Sequence, residues 1–227
     1  MDFHRAKGAT ATLLVTKNNA PTEFGCVSYG RDGLITHFTE KPTWSYVTDN
    51  KINTGIYILE KNIIPMIPAG VATDFSRDLF PQLLGKIYAY EAKGYWRDIG
   101  SLDRYYACNR DALCGKIGGI DGSAYYIGEK PHIADSAAIT DGTVIGSCCR
   151  IGERAVINKA ILMDGVTVEA GAMIEYAIIC GGAFIGAGAK HCKIHRGHRN
   201  ICPAPPRMPC RIADLSPNVC FPLCRIQ

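Results

Sequence analysis

Glu40, Lys41 and Pro42 follow the strand-like run LITHF, so a carboxylate and an ammonium stand side by side where proline ends further ladder pairing. Strand ends are where α/β sheets bind ligands; the same pair also reads as a solvated ion pair before a turn. Asn53-Thr54-Gly55 opens the run IYIL, where the amide could meet a ligand and the glycine would let backbone come close, or where the three residues simply turn. Asp98 lies between the aromatic bulk of Tyr95-Trp96 and Gly100, a setting for a carboxylate on a divalent cation or for a cap on a helix starting near Ser101. Cys192, His195, His198 and Cys202 are residue types that bind zinc, although the same types recur by accident in a tail of foreign composition.

The elements that must position these groups change character along the chain. ATATLLVT (9 to 16) reads as a buried strand behind the basic, helix-compatible start DFHRAKG. EFGCVSYGRDGLITHFTEKP and INTGIYILEKNII read as further strands, with Asp32-Gly33 as a hairpin signal. Phe75, Leu79, Phe80 and Leu83 recur at helical spacing behind Asp74 or Ser76, which predicts an amphipathic helix around 74 to 85. This first part is mixed α/β.

After about residue 126 the period becomes six. Isoleucines stand at 127, 133, 139, 145, 151 and 157, and Gly128, Gly146 and Gly152 each follow one of them. That period fits a chain that turns a corner every sixth residue and sends one aliphatic side chain inward per side, three sides making one coil of a β-helix. INKAILMDGVTVEAGAM (157 to 173) aligns without gaps on IEYAIICGGAFIGAGAK (174 to 190), with seven of seventeen positions identical. A stack of such coils leaves a sheet end that needs a cap or a partner subunit.

Composition narrows the function classes. The 227 residues carry 25 Lys+Arg against 21 Asp+Glu, and residues 191 to 227 hold six of the bases against one acid, so the remainder is close to neutral and gives nucleic-acid binding no support. No apolar run approaches the roughly 20 residues of a membrane helix, and the cytoplasm is the expected location. Six cysteines scattered through apolar segments, ending at Cys180, read as small buried thiols rather than a disulfide framework. From His191 onward the pattern stops, and five Cys and six Pro in 37 residues are not expected to join the core.

Taken in order, EFGCV (23 to 27), FTEKP (38 to 42), INTGIYIL (52 to 59), DFSRDLFPQLL (74 to 84) and GYWRDIGSLDRYY (94 to 106), followed by isoleucine-led hexapeptides, resemble the C-terminal part of a sugar-phosphate nucleotidyltransferase. The likeness is strongest to bacterial mannose-1-phosphate guanylyltransferases with a left-handed β-helix. It implies an α/β fold, an incomplete Rossmann-like nucleotidyltransferase domain over 1–112, then a linker over 113–126 and a left-handed parallel β-helix over 127–190; the irregular Cys- and Pro-rich tail over 191–227 lies beyond the resemblance. It further implies a sugar 1-phosphate and a nucleoside triphosphate as substrates and Mg²⁺ as cofactor. By resemblance Lys41 holds the sugar phosphate, Glu40 the sugar hydroxyls, and Gly25, Asn53 and Gly55 line the same pocket. Asp98 is one of two carboxylates on the metal. The family's Gly-rich, Arg-containing nucleotide loop has no counterpart in these residues, so a fragment without turnover of its own is expected. Two other readings stand beside this one: a hexapeptide acyltransferase with His132 as base, and a noncatalytic module that oligomerises through the β-helix and binds sugar phosphate.

Overall fold

A computed structural model describes residues 1–47 and 49–192, the side chains of His191 and Cys192 excepted; the backbone of these two residues continues the strand Lys190–Cys192, two positions past the end at 190 expected for the β-helix, while the rest of the zinc-like pattern and of the tail lies outside the described residues. The chain divides into two compact units, Met1–Asp98 and the part from Ile99 onward.

The first unit is built on a five-stranded mixed sheet. Its strands are β1 (Ala11–Lys17), β2 (Gly25–Tyr29), β3 (Ile35–Glu40), β4 (Lys51–Leu59) and β5 (Ile87–Glu91), in the order β3-β2-β4-β1-β5. Only β1 and β5 run parallel; β1 with β4, β4 with β2 and β2 with β3 are antiparallel. The Asp32-Gly33 hairpin joins β2 to β3, with Gly33 at φ 89°, where a side chain would be strained. Helix α1 (Asp2–Lys7) precedes β1, and its buried His4 bonds through Nδ1 to Thr12 Oγ1 (2.8 Å) and through Nε2 to Glu60 Oε1 (3.1 Å).

One sheet face carries Leu13, Val15, Val27, Ile35 and Ile87 into a core closed by Leu79, Phe80 and Leu83. The segment that supplies these last residues is not the α-helix its spacing predicts. It forms a π-helical turn over Phe75–Leu79 and then a 3₁₀ turn over Phe80–Leu83. Pro81 is the physical reason: it has no N–H for the carbonyl four residues earlier, and its ring crowds that carbonyl. Asp74 still caps the segment, Oδ1 accepting from Ser76 N (2.8 Å) and Arg77 N (3.1 Å), and the apolar residues still reach the core.

The second unit contains helix α2 (Leu102–Leu113) and a parallel β-helix of three four-stranded sheets, with strands from Tyr126–Ile127 to Lys190–Cys192. The domain boundary expected at 112 falls in the last turn of α2. Ser101, not Asp98, is the helix cap, accepting from Arg104 N at 3.3 Å. Among the described residues four coils stack, and Ile145, Ile151, Ile157, Leu162, Val168, Ile174, Ile179 and Ile185 fill the buried interior.

The six-residue rule shortens by one at a single corner. Tyr126 pairs with Val144, 18 residues on, but Val144 pairs with Ile161 and Ile161 with Ile178, each 17 on. The missing residue comes from the corners at Lys159 (φ 47°) and Tyr176 (φ 48°), both left-handed. At these corners the next aliphatic side chain points inward after five steps instead of six. This is why the isoleucine series breaks after Ile157 while the interior stays filled.

Ile161 alternates with inward Leu162, so it points out of the coil, yet it is only 2% exposed and lies outside the β-helix core cluster. Helix α2 reaches the same corner: Tyr106 Oη donates to the Lys159 carbonyl at 2.7 Å. Burial pushes the Tyr106 phenol above its ordinary range, so it stays a donor. Tyr106→Phe is expected to lower stability by about 1 kcal/mol, the net worth of one such bond, read as a shifted urea midpoint with unchanged slope.

Candidate functional site

The ends of β2 and β3 meet because the hairpin register pairs Gly25 with Glu40. A Cβ built on Gly25 would lie 2.7 Å from Glu40 Oε2 and 2.8 Å from Phe38 Cζ, so the glycine is what lets the carboxylate lie over the backbone. Lys41 leaves the strand at φ 46°, and its N–H donates to the Phe24 carbonyl at 3.0 Å, returning the chain to the residue before Gly25. Its side chain is exposed. Phe24 in turn packs edge-on against Trp96, ring centroids 5.7 Å apart, which brings the 94–98 segment to the same end of the sheet. Half-buried Asp98 follows Trp96 by two residues.

Asn53 and Gly55 come from β4, beside β2, where Cys26 pairs with Ile52. The ladder with β1 passes from Leu13–Tyr57 to Val15–Asn53, so Thr54, Gly55 and Ile56 together oppose Leu14 alone. That is a bulge, and Gly55 takes its positive φ of 80°. Asn53 Oδ1 accepts from Gly55 N at 3.0 Å, and Thr54 Oγ1 donates to the Leu14 carbonyl at 2.7 Å. The sequence-predicted residues Gly25, Glu40 and Lys41 thus form one cluster, and Asn53 and Gly55 a second on the adjoining strand.

Two hydroxyls that sequence reasoning did not single out join the second cluster. Asn53 Nδ2 donates to Tyr57 Oη at 2.7 Å and lies 3.4 Å from Ser76 Oγ. The Tyr57 ring packs on buried Phe80 (4.9 Å), which also meets Phe38 (5.7 Å), next to Glu40. Burial pushes the Tyr57 phenol up, and the charges of Asp74 and Glu40 add to this against hydrogen bonds from Asn53 and Ser76. Tyr57 is therefore a neutral hydroxyl at neutral pH. Cys26 is likewise pushed up, first by burial and then by Asp49 and Glu40. The signal for Tyr57 was in the sequence: a glycine inside a strand marks a bulge, and a bulge draws together residues that a regular strand holds apart.

Gly25→Ala is expected to weaken any ligand held by Glu40. The added methyl must displace either that carboxylate or the Phe38 ring, and overpacking of this kind costs about 1–3 kcal/mol. The result would appear as lost affinity in calorimetry with a smaller fall in thermal stability, because the Glu40 side chain yields more easily than the packed ring.

On the β-helix, His132 is exposed on an outer face, its Cα paired with that of Arg150, beside a groove of ≈ 660 Å³ that Thr167 and Glu169 also line. Among the described residues no group of three or more His, Cys, Asp or Glu could enclose a metal ion, and no helix is long and apolar enough to cross a membrane.

Comparison with known proteins gives this geometry a family. Residues 1–114 match the nucleotidyl transferase family, and residues 122–196 match the GMPPB C-terminal domain. The chain belongs to the nucleotidyl transferase family. Relatives include a mannose-1-phosphate guanylyltransferase of Mycobacterium tuberculosis, 35% identical over 77% of this chain and 50% of the relative. A probable mannose-1-phosphate guanylyltransferase 2 of Arabidopsis thaliana is 30% identical over 83% of this chain and 54% of its own length. A UTP--glucose-1-phosphate uridylyltransferase of Synechocystis is 29% identical over 79% and 54%. The chain spans about half the length of these relatives. The five ordered motifs fall within the nucleotidyl transferase match and the hexapeptides within the second match, so both expectations of fold hold together in one chain. Acyl transfer through His132 is not favoured by either match.

Proposed function

We propose that this nucleotidyl transferase chain carries the sugar-phosphate side of a mannose-1-phosphate guanylyltransferase, which joins GTP and mannose 1-phosphate into GDP-mannose and releases pyrophosphate. The observation that carries it is the Gly25–Glu40 contact with Lys41 pinned beside it through Phe24. A carboxylate accepts from sugar hydroxyls, an open backbone lets the ring come close, and an adjacent ammonium meets the phosphate. Mannose is chosen over glucose, and guanine over uracil, because two of the three relatives named above are mannose-1-phosphate guanylyltransferases.

In this reaction an oxygen of the sugar phosphate attacks the α-phosphorus of the triphosphate. The new O–P bond forms as the bond to the β-phosphate oxygen breaks, and the leaving pyrophosphate keeps that electron pair. Lys41 holds the attacking phosphate as a mobile point charge, suited to a group whose charge distribution changes during reaction. Glu40 and Asn53 orient the sugar so that the attacking oxygen is presented in one direction. Asp98 is a half-buried carboxylate, a group that suits Mg²⁺, an ion commonly held by one or two carboxylates plus substrate phosphates. Bound there, Mg²⁺ would neutralise charge on the phosphates.

A triphosphate also needs a cradle of backbone donors, and the sequence contains neither G-x-G-x-x-G nor G-x-G-T-R. The expected behaviour of the 227-residue chain by itself is therefore mannose 1-phosphate binding without nucleotide-sugar synthesis. Titration calorimetry with mannose 1-phosphate, mannose and inorganic phosphate tests the first half; heat from the phosphorylated sugar alone is expected, and its absence would remove the proposal. Incubation with radiolabelled GTP, mannose 1-phosphate and Mg²⁺ tests the second, where robust product would show that the cradle is not required. Self-association through the β-helix and a cytoplasmic setting complete the proposal, the first checked by light scattering.

A further inference from the structure

Asn53 has a fixed amide orientation. Gly55 N–H can only donate, so the atom it meets at 3.0 Å is the amide oxygen, and the nitrogen must face Tyr57 Oη (2.7 Å) and Ser76 Oγ (3.4 Å). Residues four apart on a regular strand are about 13 Å apart along the chain. Here the bulge over Thr54, Gly55 and Ile56 brings positions 53 and 57 within one hydrogen bond, and the Thr54 hydroxyl holds that bulge to Leu14 of β1. The Tyr57 ring cannot follow Asn53 outward, because it is packed between Phe75 (6.0 Å) and fully buried Phe80 (4.9 Å). Ser76 is held independently, its N–H bonded to the Asp74 carboxylate at 2.8 Å.

Within the sugar-phosphate reading on which this rests, we propose that Tyr57, with Ser76 beside it, is a positioning residue that clamps the Asn53 amide. One Nδ2 proton goes to Tyr57 and the other is turned toward Ser76, while one Oδ1 lone pair is taken by Gly55 N–H. What remains for a ligand is the second lone pair of Oδ1. Asn53 is thereby an acceptor for a sugar hydroxyl, and a sugar lacking that hydroxyl leaves the lone pair unmet. Tyr57, having accepted from Asn53, keeps its own O–H proton, so its hydroxyl can satisfy a neighbouring oxygen without releasing the amide.

The test is a double-mutant cycle on the full chain, with mannose 1-phosphate affinity read by calorimetry. Tyr57→Phe is expected to weaken binding about three- to tenfold, the range for one hydrogen bond, and to weaken it hardly at all when Asn53 is already Ala. An equal loss in both backgrounds would mean that Tyr57 acts on the ligand itself, and no loss in either would mean that the clamp does nothing; both overturn the proposal. A change in thermal midpoint alone does not produce that coupling. If the unaltered chain does not bind mannose 1-phosphate, the sugar-phosphate reading fails, and the clamp is judged by NMR. The two Asn53 side-chain amide protons should be well separated and slow to exchange, and should converge toward free-amide values in Tyr57→Phe. Signals indifferent to that substitution would end the clamp whatever the ligand.

Discussion

Gly146→Ala is expected to destabilise the β-helix by about 3 kcal/mol, the upper end of ordinary overpacking. A Cβ there would lie 2.6 Å from Asp164 N and 2.7 Å from Met163 C, atoms of the next coil's backbone, besides 2.5 Å from Asp164 Oδ1. Backbone has nowhere to move: Gly146 N–H donates to the Leu162 carbonyl at 2.7 Å, and Asp164 Oδ1 accepts from Ser147 N at 2.7 Å, so separating the coils breaks the bonds that hold them. Gly186→Ala is the control. It follows Ile185 in the same dipeptide, but among the described residues nothing lies within 4 Å of its added methyl, and a change within about 0.5 kcal/mol is expected. Urea unfolding of both variants decides the matter, and equal midpoints would refute the packing account.

Lys41→Met is expected to weaken mannose 1-phosphate binding by about 30- to 100-fold, corresponding to about 2–3 kcal/mol for a hydrogen bond to a charged group. Methionine keeps the stem length and meets the same backbone strain at φ 46°, so the ammonium is the main thing lost. Lys51→Met is the contrast. That ammonium lies 4.1 Å from the Tyr29 ring centroid, 3.5 Å from Asp49 and 4.0 Å from Glu91, and the Tyr29 hydroxyl and both carboxylates raise its pKa. Its partners are protein groups, so its loss should appear in stability and leave sugar-phosphate affinity within about twofold, the size of a surface effect. Calorimetry of both variants separates the two lysines; a Lys41→Met chain that binds as before would sink the phosphate assignment.

The β-helix is largely legible in the sequence. A period of six is a local property, written by which residue of each side points inward, and Ile127 to Ile157 state it without help from the rest of the chain. The shortened corners were less legible, since Lys159 and Tyr176 are not residues that announce a left-handed backbone. The helix expected over 74 to 85 failed for a local reason as well, because Pro81 outweighs the spacing of Phe75, Leu79 and Leu83. In the site, Glu40 and Lys41 could be picked out by type and by their place at a strand end. Tyr57 was signalled only indirectly, by the glycine that marks a bulge in its strand, and Ser76 not at all, because nothing in its own neighbourhood distinguishes it from other turn residues.

What the sequence determined by itself was therefore the material of each element: the inward isoleucines, the hairpin at Asp32-Gly33, and the charged pair that closes β3. The tertiary structure decided which of these elements share a neighbourhood. It set Gly25 against Glu40 through strand register, drew Asn53 to Tyr57 through a bulge opposite Leu14, and separated Gly146 from Gly186 by the presence of a coil above only the first among the described residues. The physical reason is one of range. Side-chain preference and periodicity act over a few residues and can be read in one dimension, whereas a clash, a hydrogen bond or a shared pocket depends on distances across strands that only the folded register defines.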